Sequence, residues 1–262
     1  ENESLQAALA DPSVAALAHR YAYDSESYAA THPSLPNYLA LTAGGTFGIS
    51  SDCLGCFIRS SNLGTELTKR GVSWDAFFQG VSSRCYLGTS YGLYAAKHNP
   101  FRYFDDIRSS RRLCSHLRPY SELGPLLAGP VSAVPSFLWV TPDVCDDGHS
   151  CSEAVAGRWL AGFVAEVTRS RAWTRGGVLF ATWDEGSFSD TSSITPAGRV
   201  LSSGGGGRIL TLVVTPRLRA GTVLRRPLNH FGLLATIEEN FSLPLLHGAR
   251  AWRHHTLFKF RD

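Results

Sequence analysis

The chain has 262 residues, 44% of them hydrophobic, which is enough to bury one sizeable core. Its 25 basic and 22 acidic residues leave a formal charge of +3, which gives no reason to expect a nucleic-acid partner. An apolar run of about 20 residues is missing, so no transmembrane segment is expected. Because no linker or repeat divides the sequence, we expect one domain over residues 1–262.

Six cysteines lie in three neighbourhoods of the sequence, and we expect each neighbourhood to form one disulfide. The predicted pairs are Cys53–Cys56, Cys85–Cys114 and Cys145–Cys151. A zinc or redox site at Cys53 and Cys56 is the alternative, although the absence of a second Cys-x-x-Cys weakens the zinc interpretation. Structural disulfides are typical of oxidising compartments, so the cysteines favour a secreted or periplasmic protein.

The first two residues, Glu1 and Asn2, pair an acid with an amide, whose side-chain oxygens can bind a cation. Asn2-Glu3-Ser4 also fits an N-glycosylation sequon, and a glycan would be incompatible with a place in a binding site. We favour the site. Residues 12–19 carry apolar side chains at helical spacing, and residues 21–28 are expected to form a connection.

Residues 31–44 predict a nucleophile at the start of a short helix. Pro36 suits the first helical position, and Gly44 suits the end of the helix. Free N–H groups at the helix start would point at Ser34 and favour a phosphate or a developing oxyanion beside its hydroxyl. Asn37 could add its side-chain N–H groups. Taken alone, the segment also fits a serine that caps a surface helix.

The next segments predict a loop, packed core and a row of polar side chains. Residues 46–61 are polar and are expected to shape the entrance of the nucleophile helix. The apolar residues between 63 and 78 follow at helical spacing and predict packed core. Lys97, His98 and Asn99 then place three side chains able to hold a phosphate in a row, and a turn with its polar groups in water is the alternative.

An apolar run at residues 137–141 predicts a strand buried on both faces of a parallel sheet. Asp147 and His149 follow in the loop beyond its carboxyl end, where ligands and catalytic groups gather in such sheets. Residues 154–169 then form the clearest amphipathic pattern and predict a helix.

A second apolar run, residues 178–183, predicts another buried strand and leads directly into Asp184 and Glu185. Adjacent carboxylates repel one another, and a cation or raised pKa values would relieve that repulsion, so the pair favours a metal site or acid–base chemistry. A solvated acid pair is the alternative. Residues 189–207 are rich in Ser, Thr and Gly and predict a mobile loop beside the site, with no nucleotide P-loop signature.

Residues 209–214 predict a third strand, and residues 228–240 predict a helix that carries His230 near its first turn. The basic tail that follows is expected to be surface.

Several of these segments together resemble, in order along the chain, a phosphoesterase family that contains bacterial acid phosphatases and phospholipases C. The matching residues are Glu1-Asn2, His32-Pro33-Ser34-Leu35-Pro36-Asn37, Lys97-His98-Asn99-Pro100-Phe101, Asp147-Gly148-His149, Asp184-Glu185 and His230. The resemblance implies an α/β fold, an alkaline phosphatase-like sandwich with a mostly parallel central sheet and helices on both faces. It also implies a first core strand upstream of residue 1.

The resemblance implies a secreted phosphomonoesterase that works through a phosphoenzyme on Ser34. A divalent metal of unknown identity would be held by Glu1, Asn2, Asp184 and Glu185. The substrate would be a phosphate ester, and phospholipid headgroups are one possible class. The catalytic groups would be Asn37, His149 and His230. The substrate-binding residues would be His32, Lys97, His98, Asn99 and Asp147. Alternatives are a phospholipase C or other phosphodiesterase, whose family members are longer, and a non-enzymatic phosphate-binding protein.

Overall fold

The computed structural model describes residues 1–260, except for the side chain of Arg175. Its helices are α1 (Leu5–Ala10), α2 (Pro12–Arg20), α3 (Ser34–Ala43), α4 (Leu63–Arg70), α5 (Asp105–Ser109), α6 (Arg111–Cys114), α7 (Leu123–Ala128), α8 (Glu153–Arg169) and α9 (His230–Asn240). Its strands are β1 (Ala22–Tyr28), β2 (Trp74–Phe78), β3 (Ser90–Tyr91), β4 (Tyr94–Ala95), β5 (Leu117–Pro119), β6 (Phe137–Thr141), β7 (Leu179–Thr182), β8 (Ser193–Ile194), β9 (Val200–Leu201), β10 (Arg208–Val214), β11 (Val223–Leu224) and β12 (Leu228–Asn229).

The strands form two main sheets. One sheet has the order β11-β1-β10-β7, with β12 also paired to β1. In this sheet β10 runs antiparallel to both neighbours, while β11 and β12 run parallel to β1. The other sheet has the order β5-β2-β6 and is parallel throughout. Within these two sheets four strand pairs are parallel and two are antiparallel. The central sheet is divided, which the sequence did not predict.

A cleft of about 340 Å³ separates the two sheets, and both β6 and β7 line it. Their side chains are only partly buried, apart from Thr141, whereas we expected strands buried on both faces. The difference arises because each strand has one edge that pairs with no other described strand. The strand predicted upstream of residue 1 stays a prediction.

Helices pack on both faces of the mixed sheet, as expected for the predicted class. On one face α1, α2 and α8 contribute Leu5, Val14 and Val164 to a core shared with Leu210 and Leu212 of β10. On the other face α3 and α9 contribute Leu41 and Leu233, which pack with Val213. Leu212 and Val213, which are consecutive in β10, therefore enter different cores, as expected for a strand whose successive side chains point to opposite faces.

Two predicted segments adopt a different structure from the one expected. Residues 21–28 contain the strand β1 rather than a connection, although Ser, Asp and Glu make this a poor strand sequence. Pairing with β10, β11 and β12 overrides that preference. The aromatic residues at 74–78 form β2, not a helix, because Gly71 ends α4 in a left-handed conformation and β5 and β6 pair with both edges of β2.

The three predicted disulfides, Cys53–Cys56, Cys85–Cys114 and Cys145–Cys151, are confirmed, and no cysteine is free within residues 1–260. The strand at 137–141 and the helices at 12–19, 154–169 and 228–240 also occur, with ends that differ by two residues or fewer. Among the described helices, none has the length and apolar character needed to cross a membrane.

Glu238 of α9 makes the fold sensitive to pH. Its carboxylate is fully buried and accepts a hydrogen bond from the backbone N–H of Leu246 (3.2 Å). Burial raises its pKa from 4.5 to about 8. The folded state thus holds a proton that the unfolded chain releases above pH 4.5, so this contribution to stability is complete below pH 4.5 and is lost as the pH rises to about 8.

Glu238→Gln should therefore flatten the dependence of melting temperature on pH between 5 and 8, because each unit of pKa shift corresponds to about 1.4 kcal/mol. Thermal unfolding at closely spaced pH values measures this. Glu239→Gln is the control, since Glu239 is partly exposed and lies next in the same helix. Equal slopes for wild type and Glu238→Gln would contradict the interpretation.

Candidate active site

Ser34 is the first residue of α3, and its side chain points into a pocket of ionisable groups. Its Oγ lies 3.2 Å from Oε1 of Glu185, 3.4 Å from Oε2 of Glu1 and 3.4 Å from Nζ of Lys97. The residue is fully buried. The helix begins at Ser34 rather than at Pro36, so the serine belongs to the first turn instead of preceding it.

Asn37 fixes the turn that leads into the nucleophile. Its side-chain nitrogen donates to the carbonyl oxygens of Thr31 (2.7 Å) and Pro33 (3.0 Å), and its Oδ1 accepts from the N–H of Thr31 (3.0 Å). We expected this amide to hold phosphate oxygens. The structure differs, because both of its N–H groups are already engaged by the backbone, and Asn37 here orients Ser34 indirectly.

A run of glycines holds the acid loop against the same turn. The N–H of Gly206 donates to the carbonyl of Ala29 (3.1 Å), and the carbonyl of Gly206 accepts from Gly186 (2.8 Å). A Cβ at Gly206 would lie 2.0 Å from the carbonyl oxygen of Thr31, so only glycine fits. The glycines predicted to form a mobile loop thus join the nucleophile turn to the loop that carries Glu185.

Glu185 is the centre of a hydrogen-bond network around the serine. Besides Ser34, it accepts a hydrogen bond from the side-chain nitrogen of Asn2 (3.1 Å), and its Oε2 lies 2.5 Å from Nδ1 of His32. The other ring nitrogen of His32 donates to the carbonyl of Asp190 (3.0 Å). His32 therefore orients Glu185 and contacts the serine only through that carboxylate.

Lys97 and His149 form the mouth of the site. Nζ of Lys97 donates to Nε2 of His149 (2.9 Å) and to Oδ2 of Asp52 (3.1 Å). The His149 ring is solvent-exposed, whereas Lys97 is largely buried. Partial desolvation of the ring by its neighbours and the charge of Lys97 lower the pKa of His149. In its neutral form the ring accepts the hydrogen bond that Lys97 donates.

A deeper group joins Glu1, His98 and Asp147, whose ligand atoms lie within 4.8 Å of one another. Nδ1 of His98 is 3.0 Å from Asp147, and its Nε2 is 3.4 Å from Glu1, yet neither contact has hydrogen-bond geometry. Among the described residues, both carboxylate oxygens of Asp184 and Oδ1 of Asn2 are also buried without a hydrogen-bond partner.

These unpartnered buried atoms fit a divalent cation. Carboxylate, amide and imidazole ligands suit hard or borderline metals, and buried carboxylates without hydrogen bonds are otherwise costly. The set differs from the predicted one, since His98 and Asp147 were expected to face the substrate. Glu1, Asn2 and Asp184 lie among the groups that a cation could satisfy, while Glu185 is hydrogen-bonded to other side chains.

The electrostatics reflect this concentration of acids. Burial and the charge of Glu1 raise the pKa of Asp184 to about 7. Burial and the charge of Asp184 raise the pKa of Glu185 to about 7, although His32 opposes the shift. Burial, reinforced by Asp147, also raises the pKa of Glu1. The pocket therefore favours protons or a cation over free carboxylates.

Two predicted site residues lie behind the pocket. The Nε2 of His230 donates to the backbone carbonyl of Asp184 (2.5 Å), and the ring is buried, which lowers its pKa. Its contact supports the acid loop, and a direct role in catalysis stays a prediction. Asn99 is buried and donates to the hydroxyl of Tyr94 (3.0 Å), so this contact is also made away from Ser34.

Sequence reasoning missed two residues of the site, Tyr38 and Asp52. The Tyr38 hydroxyl donates to Glu1, and its ring stacks on His98 with centroids 5.3 Å apart. Its position four residues after Ser34, on the same face of a helix, was the available signal. Asp52 accepts from Lys97 and from the N–H of Leu35 (2.9 Å), and nothing in the loop sequence marked it.

Comparisons with known proteins identify the family of this chain. The model of the phosphoesterase family matches residues 8–244. A phosphate-repressible acid phosphatase from Penicillium chrysogenum is 28% identical over 256 residues, which cover 94% of this chain and 58% of that protein. A phosphatidylinositol-3-phosphatase from Mycobacterium tuberculosis is 28% identical over 250 residues, covering 93% of this chain and 75% of that protein.

The fold belongs to the alkaline phosphatase class. A solved structure of a protein in the alkaline phosphatase superfamily, from Vibrio parahaemolyticus, superposes with a TM-score of 0.56 at 10% identity and covers 95% of this chain and 68% of that one. By its sequence, the chain is a member of the phosphoesterase family. It spans just over half the length of the Penicillium relative, and the family match begins after Glu1 and Asn2.

Replacing Asp184 by Asn should have opposite effects with and without metal. At pH 8 in chelator, the variant should melt several degrees higher than wild type, because it removes a buried charge beside Glu1. In a protein of this size, a change of about 1 kcal/mol in the free energy of unfolding shifts the melting temperature by about 2–4 °C. Added Mn²⁺ or Zn²⁺ should raise the melting temperature of wild type much more than that of Asp184→Asn.

Thermal unfolding with a metal series provides this measurement, and Asp106→Asn, which lies outside the pocket, is the control. Equal stabilisation of wild type and Asp184→Asn by each divalent ion would contradict the proposed cation site.

Proposed function

We propose that this protein is a phosphomonoesterase of the acid phosphatase type, with Ser34 as its nucleophile. The observation that carries the proposal is the position of the Ser34 hydroxyl, between a carboxylate acceptor on Glu185 (3.2 Å) and a cation on Lys97 (3.4 Å). A serine hydroxyl is a weak nucleophile unless a base or a metal activates it, and this site supplies an adjacent base.

In the first half-reaction, Glu185 accepts the proton of Ser34 while Oγ attacks phosphorus and the bond from phosphorus to the ester oxygen breaks. His32 holds Glu185 in the orientation required. Lys97 neutralises negative charge on the oxygens of the phosphoryl group while that group is transferred to Ser34. His149, which lies beside Lys97 at the mouth of the site, is the group that protonates the departing ester oxygen.

In the second half-reaction, His149, now neutral, accepts a proton from the water that attacks phosphorus. The bond from phosphorus to Oγ breaks, inorganic phosphate leaves, and Glu185 returns its proton to Oγ of Ser34. A divalent cation held by Glu1, Asp184 and their unpartnered neighbours would stabilise negative charge on the phosphoryl oxygens and on the serine oxygen. Tyr38 supports that group by holding Glu1 and stacking on His98.

Further observations support a class of substrate and a location. Similarity to a protein named phosphatidylinositol-3-phosphatase supports phosphoinositides as one class of substrate. Three disulfides support folding in an oxidising compartment, so the protein is secreted or periplasmic. One domain over residues 1–262 is the organisation we propose.

Ser34→Ala should lower turnover of an aryl phosphate by at least about a thousandfold, because the covalent route is lost. Release of inorganic phosphate from aryl phosphates and phosphoinositides, assayed at acid and neutral pH, measures this and ranks the substrates. Ser115→Ala, an exposed serine far along the chain, is the control. A Ser34→Ala protein that turns over substrate at near the wild-type rate would exclude the mechanism.

His32→Asn should move the acid limb of the pH profile of kcat/KM upward by about one unit. His32 lowers the pKa of Glu185, so without it the carboxylate keeps its proton to higher pH and cannot accept one from Ser34. His19→Asn, on the outside of α2, is the control. A uniform loss of activity at every pH, with the limb unmoved, would show that His32 has only a structural role.

A further inference from the structure

Two hydrogen-bond donors next to the nucleophile are bridged by one carboxylate of the chain itself. Oδ1 of Asp52 accepts from the backbone N–H of Leu35 (2.9 Å), and Oδ2 accepts from Nζ of Lys97 (3.1 Å). The N–H of Leu35 belongs to the first turn of α3 and has no partner within the helix. The same Lys97 nitrogen lies 3.4 Å from Oγ of Ser34.

These donors are the groups that suit an incoming anion. The other charged groups described within hydrogen-bond distance of Ser34 are the carboxylates of Glu1 and Glu185, which repel a phosphate. A helix N-terminus and an ammonium group attract one. A phosphoryl group attached to Ser34 would place its oxygens against the donors that Asp52 now uses, and a carboxylate and a phosphate repel each other at such distances.

We propose that Asp52 is a built-in substitute for the phosphoryl oxygens of the substrate: its carboxylate occupies Leu35 N–H and Lys97 Nζ in the resting protein and withdraws when a phosphate ester binds. This inference rests on the proposed function, since it assumes that phosphate binds beside Ser34. Asp52 thereby keeps both donors hydrogen-bonded in the resting protein. An anion that binds these donors too weakly to displace the Asp52 carboxylate does not enter the site.

The surrounding loop allows such a movement. Residues 44–57 contain no helix or strand, and Ser50 and Ser51 are exposed. The Asp52 side chain is 30% exposed. Beyond it, the segment is fixed by the Cys53–Cys56 disulfide and by the pairing of Ile58 with Phe104. Only a few residues around Asp52 therefore have to move, and the core contacts of Ile58 remain.

The test is the affinity of Asp52→Asn for inorganic phosphate, measured by calorimetry beside wild type. Asparagine keeps the size of the side chain and an acceptor for Leu35 N–H but removes the competing charge. We expect phosphate to bind at least about tenfold more tightly and KM for an aryl phosphate to fall in parallel. Asp105→Asn, which removes an exposed carboxylate paired with Arg59, should leave both quantities unchanged.

Phosphate affinity that is unchanged or weaker in Asp52→Asn would overturn the proposal and would show that Asp52 only positions Lys97 and caps α3. If the variant does not fold, wild type crystallised with saturating phosphate decides: the proposal requires the Asp52 carboxylate to lie beyond hydrogen-bond distance of Leu35 N–H, and an intact contact overturns it. The two proposals can fail separately. If wild type hydrolyses no phosphate ester but Asp52→Asn binds phosphate more tightly than wild type, the proposed phosphatase activity is refuted and the role of Asp52 stands.

Discussion

The site depends on the burial of several carboxylates around one hydroxyl group. Glu1, Asp184 and Glu185 are all buried, and the pKa of each is raised. Such a cluster destabilises the fold unless protons, hydrogen bonds or a cation compensate for the charge. Glu185 is compensated by His32, Asn2 and Ser34, whereas Asp184 faces Glu1, a second acid, and its oxygens accept no hydrogen bond from a basic or amide group among the described residues. This difference is the reason for proposing Glu185 as the general base and Asp184 as a metal ligand.

The scaffold brings these groups together from distant parts of the chain. Strand β1 leads through the turn held by Asn37 into Ser34, and β7 leads into Asp184 and Glu185. The glycine at 206 lies between these two loops and bonds to both. The loop after β6 is closed by the Cys145–Cys151 disulfide and supplies Asp147 and His149. Each element ends at the same edge of the fold, where ligands commonly bind in open α/β sheets.

Much of the fold could be predicted from sequence because its signals are local. Apolar runs at 137–141 and 209–214, the amphipathic pattern of α8 and the spacing of the cysteines depend on neighbouring residues alone. Strand β1 could not be found in this way, since its polar sequence becomes a strand only between its partners. The division of the sheet was also hidden, because it depends on which edges of β6 and β7 find a partner.

The candidate site was predictable in composition but not in orientation. Ser34, Lys97 and Glu185 do meet in one pocket, as the order of the segments indicated. The direction in which a side chain points depends on the tertiary structure, so Asn37 turned out to hold a backbone turn and His230 to support a loop. Asp52 lies in an irregular loop with no periodicity, and only the folded structure shows that it reaches Lys97.

The most direct test of the account is an anomalous diffraction experiment on crystals grown with Mn²⁺. The account requires one strong anomalous peak in contact with the carboxylates of Glu1 and Asp184, next to the hydroxyl of Ser34. A site without a peak, with Asp184 neutral and hydrogen-bonded to water while the protein still hydrolyses phosphate esters, would contradict it.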